Sequence, residues 1–282
     1  MEIKSLEHTD QLTIFNAFAQ AFKDYELQLD HGQFQAMLQR RGFNPTLSFA
    51  AFEGDEIASF TLNGIGQFNG RSTAYDTGTG TREEYRGKGL AASIFEHSIP
   101  YLKAAGIEQY LLEVLQHNTK AVSLYKRLGF ETKREFNYFM QTKSEVVVVE
   151  SNSDFHIKEI EIDDISLVSA FWDFHPSWQN SIDSIKRSLN CFTCLGAYNK
   201  SNLIGYGIFE PTTGDITQMA VDNTHRKKGA GTALLNKILL MTNSDKLKVL
   251  NTDISCKAMT DFLISKNINV SGTQFEMIRN FR

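Results

Sequence analysis

Apolar positions along the chain follow two periods, and the two periods alternate. Ile3-Lys4-Ser5-Leu6 reads as a short strand, and beyond Thr9-Asp10 the residues Leu12, Phe15, Phe18, Ala19 and Phe22 recur at helical spacing. Asp10 stands where an N-cap accepts from the first free backbone N–H groups. Asn63 to Arg71 is rich in asparagine and glycine and predicts a hairpin. Thr73 to Thr81 alternates weakly, as a strand does, and Leu90 to Ala105 predicts a helix with Leu90, Ile94, Ile99 and Leu102 on or near one face. Pro100 is expected to kink or interrupt that helix. Gln109-Tyr110-Leu111-Leu112-Glu113-Val114 predicts a strand, with Glu113 interrupting its apolar run. Asn118 then caps a helix whose residues Ala121, Leu124, Tyr125 and Leu128 share a face, and Gly129 supplies the left-handed stop.

The second half repeats this order. Ile157-Lys158-Glu159-Ile160 leads through Asp163-Asp164 into Ile165, Val168, Phe171 and Trp172. Thr81 to Ala91 matches Val221 to Gly231, each placing an arginine five residues after a strand's end and glycines just beyond. The expected organisation is a first domain over 1–143, a linker or final strand over 144–154 with Val146 to Val149 as the strand, and a second domain over 155–282. Setting Ala258 against Ala121 puts Ser255, Phe262 and Leu250 in place of Asn118, Tyr125 and Glu113.

Composition narrows the classes of function. A 282-residue chain has room for about two domains. No apolar run approaches the roughly 20 residues of a membrane helix, and a formal charge of −4 argues against general nucleic-acid binding. The first residues carry no secretory pattern, so a cytoplasmic location is expected. Cys191, Cys194 and Cys256 are an odd number confined to the second half. Cys191 and Cys194 form a C-x-x-C without a partner pair, so buried strand cysteines and no metal site are expected. Trp172, His175 and Trp178, with Tyr25, Phe34, Phe43 and Phe49, read as core or loop residues.

Arg86-Gly87-Lys88-Gly89 has to turn tightly at a helix N-terminus, where unpaired N–H groups and the positive end of the helix dipole favour an anion such as phosphate. Its spacing fits neither the dinucleotide fingerprint nor the P-loop. A glycine turn that only starts a helix is the alternative. Glu113 is read as an edge or salt-bridged carboxylate or as a working group in a cleft, and Tyr125 as a core aromatic or a proton donor.

Arg86-Gly87-Lys88-Gly89-Leu90-Ala91 and Arg226-Lys227-Lys228-Gly229-Ala230-Gly231 resemble the acetyl-CoA pyrophosphate loop of the GNAT superfamily of N-acetyltransferases. Asn118 to Phe130 resembles that family's second signature, of Asn, Ala, Leu-Tyr and Gly-Phe. The resemblance implies an α/β (α+β) chain of two tandem GNAT domains, each a mixed, mostly antiparallel sheet flanked by helices, with acetyl-CoA as co-substrate and no metal. It implies cofactor contacts from Thr79, Gly80, Thr81, Arg86, Gly87, Lys88, Gly89, Leu90, Ala91 and Asn118. In the degenerate second domain the corresponding contacts are Val221, Arg226, Lys228, Gly229, Ala230 and Gly231. Glu113 and Tyr125 lie twelve residues apart, as the base and acid do in family members that acetylate protein N-termini. The implied reaction is direct acetyl transfer in a ternary complex, the first half having no cysteine to carry the acyl group. The acceptor is a small-molecule amine or a peptide N-terminus. A noncatalytic acyl-CoA-binding sensor or interaction protein is the rival reading.

Overall fold

A computed structural model describes residues 1–24, 28–148, 155–161 and 168–281. Tyr25, the pair Asp163-Asp164, Ile165 and the stretch 149–154 of the expected linker lie outside the described residues. The first half of the chain forms β1 (Glu2–Ser5), α1 (Gln11–Ala21), α2 (His31–Arg41), β2 (Phe49–Glu53), β3 (Glu56–Phe68), β4 (Arg71–Thr81), α3 (Leu90–Ala104), β5 (Gln109–Leu115), α4 (Thr119–Arg127) and β6 (Glu131–Thr142). The second half forms β7 (Phe155–Glu159), α5 (Ile182–Arg187), β8 (Thr193–Asn199), β9 (Asn202–Glu210), β10 (Asp215–Val221), α6 (Ala230–Met241), β11 (Lys246–Asp253), α7 (Lys257–Ser265) and β12 (Val270–Asn280).

The chain divides into two compact units, Met1–Lys133 with Phe275–Arg282, and Arg134–Gln274. In the first, strands follow the order β1-β2-β3-β4-β5-β12, antiparallel from β1 to β4 and parallel between β4 and β5. In the second the order is β6-β11-β10-β9-β8-β7, with β10 and β11 parallel and the other pairs antiparallel. These are mixed, mostly antiparallel sheets with helices. The unit boundaries differ from the divisions at 143 and 155. Residues 134–142 pair with β11 within the second unit, from Phe136↔Asp253 to Thr142↔Lys246. In the first unit, Met277 is buried with Tyr110, Leu112 and Phe130, and Arg279 donates to the Leu128 carbonyl at 2.7 Å. Each half's last strand therefore completes the sheet of the unit built mainly from the other half, a choice of partner that alternation along a strand does not encode.

Local sequence accounts for most element ends. Asp10 accepts from Thr13 N–H at 2.9 Å and begins α1, and Asn118 accepts from Ala121 N–H at 3.2 Å and begins α4. Gly129, at φ 83°, ends α4. The hairpin turn is narrower than the segment 63–71: Asn69 and Gly70, at φ 52° and 75°, make it alone, while Asn63 to Phe68 belong to β3. Two expectations, an interruption of α3 and a strand over Val146 to Val149, are not met. The helix α3 runs unbroken through Pro100, its two ends held to the sheet by buried Ile94, Phe95 and Leu102. No strand forms over the described part of Val146 to Val149; Lys143–Glu145 is a 3₁₀ turn, and Val147 N–H bonds to Lys266 O at 2.9 Å.

Phe34, Phe49 and Trp178 are core residues. Cys194 is a buried strand residue, whereas Cys191 is half-buried in a 3₁₀ turn, and none of the three cysteines forms a disulfide. Among the described residues no helix is long and apolar enough to cross a membrane.

Candidate active site

The site begins where two parallel strands part. β4 and β5 pair only from Thr73↔Gln109 to Tyr75↔Leu111, so β4 from Asp76 to Thr81 and β5 from Leu112 onward run beyond their last pairing. Their side chains divide between the two faces of the sheet. Thr73 and Gln109 meet on one face, Gln109 Nε2 donating to Thr73 Oγ1 at 2.8 Å. Tyr75 and Glu113 continue that face, and the Tyr75 hydroxyl donates to Glu113 Oε2 in a short hydrogen bond. The opposite face carries Ala74, Tyr110 and Leu112, packed with Phe95 of α3 and with Tyr125 of α4. Glu113 and Tyr125 thus approach the splay from opposite sides.

A β-bulge at Thr77 shapes this end of β4. Asn63 pairs with Asp76 and Leu62 with Gly78, which leaves Thr77 as an extra residue. The bulge resets the alternation, so Asp76 and Thr79 share a face despite their odd separation. Thr79 Oγ1 donates toward both Asp76 oxygens, at 3.0 and 2.9 Å, and the Tyr125 hydroxyl donates to Asp76 Oδ2 at 2.9 Å. Arg41 of α2 donates to the Thr77 carbonyl at 2.8 Å. Withdrawal from water pushes the Asp76 carboxyl up to about 6, against the opposing pull of its bonds from Thr79 and Tyr125 and of the Arg41 charge. Burial, and then the Glu113 charge, push the Tyr75 phenol well above its ordinary value. Asp76, Tyr75 and Arg41 escaped the sequence reading. Its one usable signal was a lone carboxylate inside the otherwise uncharged run Thr73 to Thr81.

Between β4 and α3 lies the glycine loop. Gly87 and Gly89 both adopt the left-handed region, at φ 79° and 76°, and a Cβ built on either would meet nothing within 4 Å. Leu90 and Ala91 open α3, whose leading N–H groups lack intrahelical acceptors. That open, donor-rich surface fits the pyrophosphate of a CoA thioester. The Arg86 guanidinium donates to Thr81 O at 3.2 Å and Ala21 O at 3.0 Å, tying the loop to the ends of β4 and α1. Lys88 lies 4.9 Å from the Tyr85 ring centroid. Gly80 answers a packing demand, since a Cβ there would come within 2.5 Å of Phe60 and 2.9 Å of Ala21. Thr81 Oγ1 is 2.8 Å from Ser59 Oγ.

The second unit builds the same loop. Arg226 donates from Nε to Val221 O at 2.8 Å, and Lys227 and Gly229 take the left-handed positions at φ 58° and 98°. Lys228 Nζ donates to Thr224 O at 2.8 Å. Val221, Arg226, Gly229 and Gly231, with Phe262, line a cleft of about 470 Å³; Ala230 is buried at the start of α6. The expected correspondences need correction at two places. Cys256 N–H bonds to Asp253 O and Ile268 N–H to Leu263 O, as Asn118 N–H does to Leu115 O and Phe130 N–H to Tyr125 O. Cys256 therefore stands for Asn118 and Leu263 for Tyr125, in place of Ser255 and Phe262. The slip arises at a bulge between Val249 and Thr252, where Asn251 sits at φ 59° and inserts one residue. Leu250, two residues beyond Lys248 and its partner Asp215, keeps the place of Glu113, and Ile216 stands for Asp76 before a matching bulge at Thr217.

Known proteins bear on this site at two levels. The model of the acetyltransferase (GNAT) family matches residues 12–130 and 159–253, more than half of the chain. N-alpha-acetyltransferase 30 of Schizosaccharomyces pombe is 30% identical over 98 residues, 34% of this chain and 65% of that protein. N-alpha-acetyltransferase MAK3 of Arabidopsis thaliana is 29% identical over 97 residues, 34% of this chain and 51% of that protein. The chain thus spans less than two thirds of these relatives. Among solved structures, a tandem GNAT protein from the clavulanic acid biosynthesis pathway superposes with a TM-score of 0.73 at 12% identity, over 99% of this chain and 98% of that one. A GCN5-related N-acetyltransferase from Sphaerobacter thermophilus gives 0.71 at 13% identity, over 100% of this chain and 96% of that one.

Proposed function

The chain belongs to the GNAT family of acetyltransferases, and we propose that its first unit transfers an acetyl group from acetyl-CoA directly to a primary amine. The observation that carries this reading is the splay of β4 and β5 with Glu113 reaching it from one face and Tyr125 from the other. Starting from an ammonium ion, acyl transfer removes two protons from nitrogen and delivers one to sulfur, and the first removal and the delivery to sulfur call for catalytic groups. The amine, mostly an ammonium ion at neutral pH, must lose a proton before its nitrogen attacks the thioester carbonyl, and the departing thiolate gains from a proton as the C–S bond breaks. Glu113 takes the first proton from nitrogen and Tyr125 gives the proton to sulfur. Thr79, Gly80 and Thr81 lie on the part of β4 beyond its last pairing with β5, where backbone N–H groups polarise the carbonyl. The loop from Arg86 to Ala91 and the capped start of α4 at Asn118 hold the CoA end.

The acceptor is a small-molecule amine or a peptide N-terminus, and the similarity to two N-alpha-acetyltransferases over about a third of the chain supports the peptide. The second unit, with leucines at both catalytic places, binds an acyl-CoA-like ligand in its cleft without transferring the acyl group. The test is thiol release from acetyl-CoA across a panel of small amines and peptides. Wild type should release thiol with at least one acceptor, and Tyr125→Phe should lower the rate by about 10²-fold, the scale of a general acid. Tight acetyl-CoA binding with no thiol release for any amine would replace this reading with that of a sensor.

A further inference from the structure

We infer that Asp76 is the proton store behind Tyr125, resupplying the phenol as it protonates the leaving sulfur; this rests on the catalytic reading of the first unit. The geometry makes the relay. Tyr125 and Asp76 share a hydrogen bond of 2.9 Å, and Thr79 fixes the carboxyl through both of its oxygens. The Thr77 bulge turns Asp76 and Thr79 to the same side, and Asp76 is half-buried where β4 leaves β5. The titratable and charged groups acting with it are Tyr125 from α4, Arg41 from α2, Tyr75 beside it on β4, and Tyr110 from β5. Arg41 favours the ionised carboxyl, while burial pushes the Tyr75 and Tyr110 phenols well above their ordinary value and keeps them uncharged.

The electron and proton movements close. The amine nitrogen, made neutral by Glu113, forms its C–N bond and then sheds its second proton to solvent as the carbonyl reforms and the C–S electron pair leaves on sulfur. Sulfur takes the Tyr125 proton, and the phenolate oxygen takes the proton of the Asp76 carboxyl across their shared hydrogen bond. Asp76 regains a proton from solvent, while Glu113 discards to solvent the proton taken from the amine. Were Asp76 ionised at that moment, a phenolate would form directly beside a carboxylate, at a Coulombic cost. The protonated carboxyl is therefore the productive form: in it the carboxyl donates to the Tyr125 oxygen, reversing the bond in which Tyr125 donates to Asp76 Oδ2, and the Tyr125 proton is left for sulfur. Its titration near pH 6 means that the productive fraction is full at lower pH and falls as pH rises through that value.

The experiment records kcat and KM against pH for wild type, Asp76→Asn, Asp76→Glu, Tyr125→Phe and the double variant Asp76→Asn with Tyr125→Phe. Wild-type kcat should fall on a limb near pH 6. Asp76→Asn, isosteric but unable to yield a proton, should lose that limb and lower kcat by about 10-fold or more with KM for acetyl-CoA little changed. Asp76→Glu should restore a limb, and the double variant should be no slower than Tyr125→Phe alone. An unchanged pH profile in Asp76→Asn, or additive losses in the double variant, overturns the relay while leaving the Tyr125 assignment standing if Tyr125→Phe is slow. Failure of the wild-type chain to transfer acetyl to any amine overturns both.

Discussion

The two units build their glycine loops alike and their strand splays differently. In each loop the arginine Nε bonds to the carbonyl that ends a strand, Thr81 for Arg86 and Val221 for Arg226, and left-handed residues follow at matching places. At the splays, Asp76, Glu113 and Tyr125 face Ile216, Leu250 and Leu263. The loop is a device of the fold: it lets a strand turn into a helix while an arginine holds the corner. Chemistry requires more, namely ionisable side chains on the strand ends and on α4. A loop motif by itself therefore points to a place where a phosphate fits, and under the proposed function the carboxylate and phenol are what would separate a unit that transfers from one that holds.

The largest test of this contrast is catalytic. Glu113→Gln should lower amine acetylation by about 10²-fold at neutral pH, with partial recovery at high pH where the amine loses its proton unaided. The counterpart change in the second unit, Leu250→Gln, should leave turnover within about twofold. Steady-state thiol release on the full chain measures both, and a comparable loss from Leu250→Gln would place catalysis in both units.

Packing should show the opposite, near equality. A Cβ at Gly64 would lie 2.0 Å from the Arg41 carbonyl oxygen, and one at Gly214 would lie 2.0 Å from that of Lys246. Backbone cannot swing aside as a side chain does. Gly64→Ala and Gly214→Ala should each destabilise the chain by about 1–3 kcal/mol from overpacking, with about 1 kcal/mol more at Gly214 for its left-handed φ of 72°, as read by thermal unfolding. A tolerated Gly214→Ala beside a damaging Gly64→Ala would mark the second unit as the looser one.

A smaller difference lies within the loops. Gly87 and Lys227 occupy the same left-handed place, at φ 79° and 58°, and only the lysine incurs the Cβ clash of that region. Lys227→Gly should stabilise the protein by up to about 1 kcal/mol, and Gly87→Lys should destabilise it by about as much, the left-handed cost outweighing glycine's extra unfolded-state entropy. Matching shifts of opposite sign in the unfolding midpoint are the expected result.

Much of this was written in local sequence. The loops, the caps at Asp10 and Asn118, the Gly129 stop and the hairpin each depend on residues within a few positions of one another. Glu113 and Tyr125 were singled out through the family resemblance, and the fold brings the two to opposite faces of one strand splay. Asp76 was not legible, because the Thr77 bulge decides which face it joins, and a bulge is a property of the pairing with β3. The bulge at Leu250 and Asn251 likewise shifted the second unit's alignment by one residue and hid Leu263. The strand partners of β6 and β12 were beyond local reading, since each is settled by a sheet edge distant in sequence. Pro100 failed as a breaker because tertiary packing on both sides of it outweighs one missing hydrogen bond.

The finest difference between the units is at the start of α4 and α7. Asn118 and Cys256 have nearly the same backbone angles, −79° and 66° against −78° and 74°, so the two helices begin in one geometry. Asn118 satisfies the Ala121 N–H, whereas the Cys256 thiol lies 3.7 Å from Asp173 Oδ2. A thiol is a weak acceptor, so its hold on the Met259 N–H in the first turn of α7 is weaker than that of Asn118 on the Ala121 N–H in α4. Cys256→Asn should supply a stronger acceptor to the Met259 N–H and stabilise the chain by about 0.5–1 kcal/mol, less whatever the buried thiol contributes through its contact with Asp173. Asn118→Cys should cost about 1 kcal/mol. Hydrogen exchange at the Met259 and Ala121 amides reads each change locally: protection should rise at Met259 in the first variant and fall at Ala121 in the second. If Cys256→Asn leaves Met259 exchange unchanged, the backbone likeness of the two caps does not extend to their hydrogen bonding.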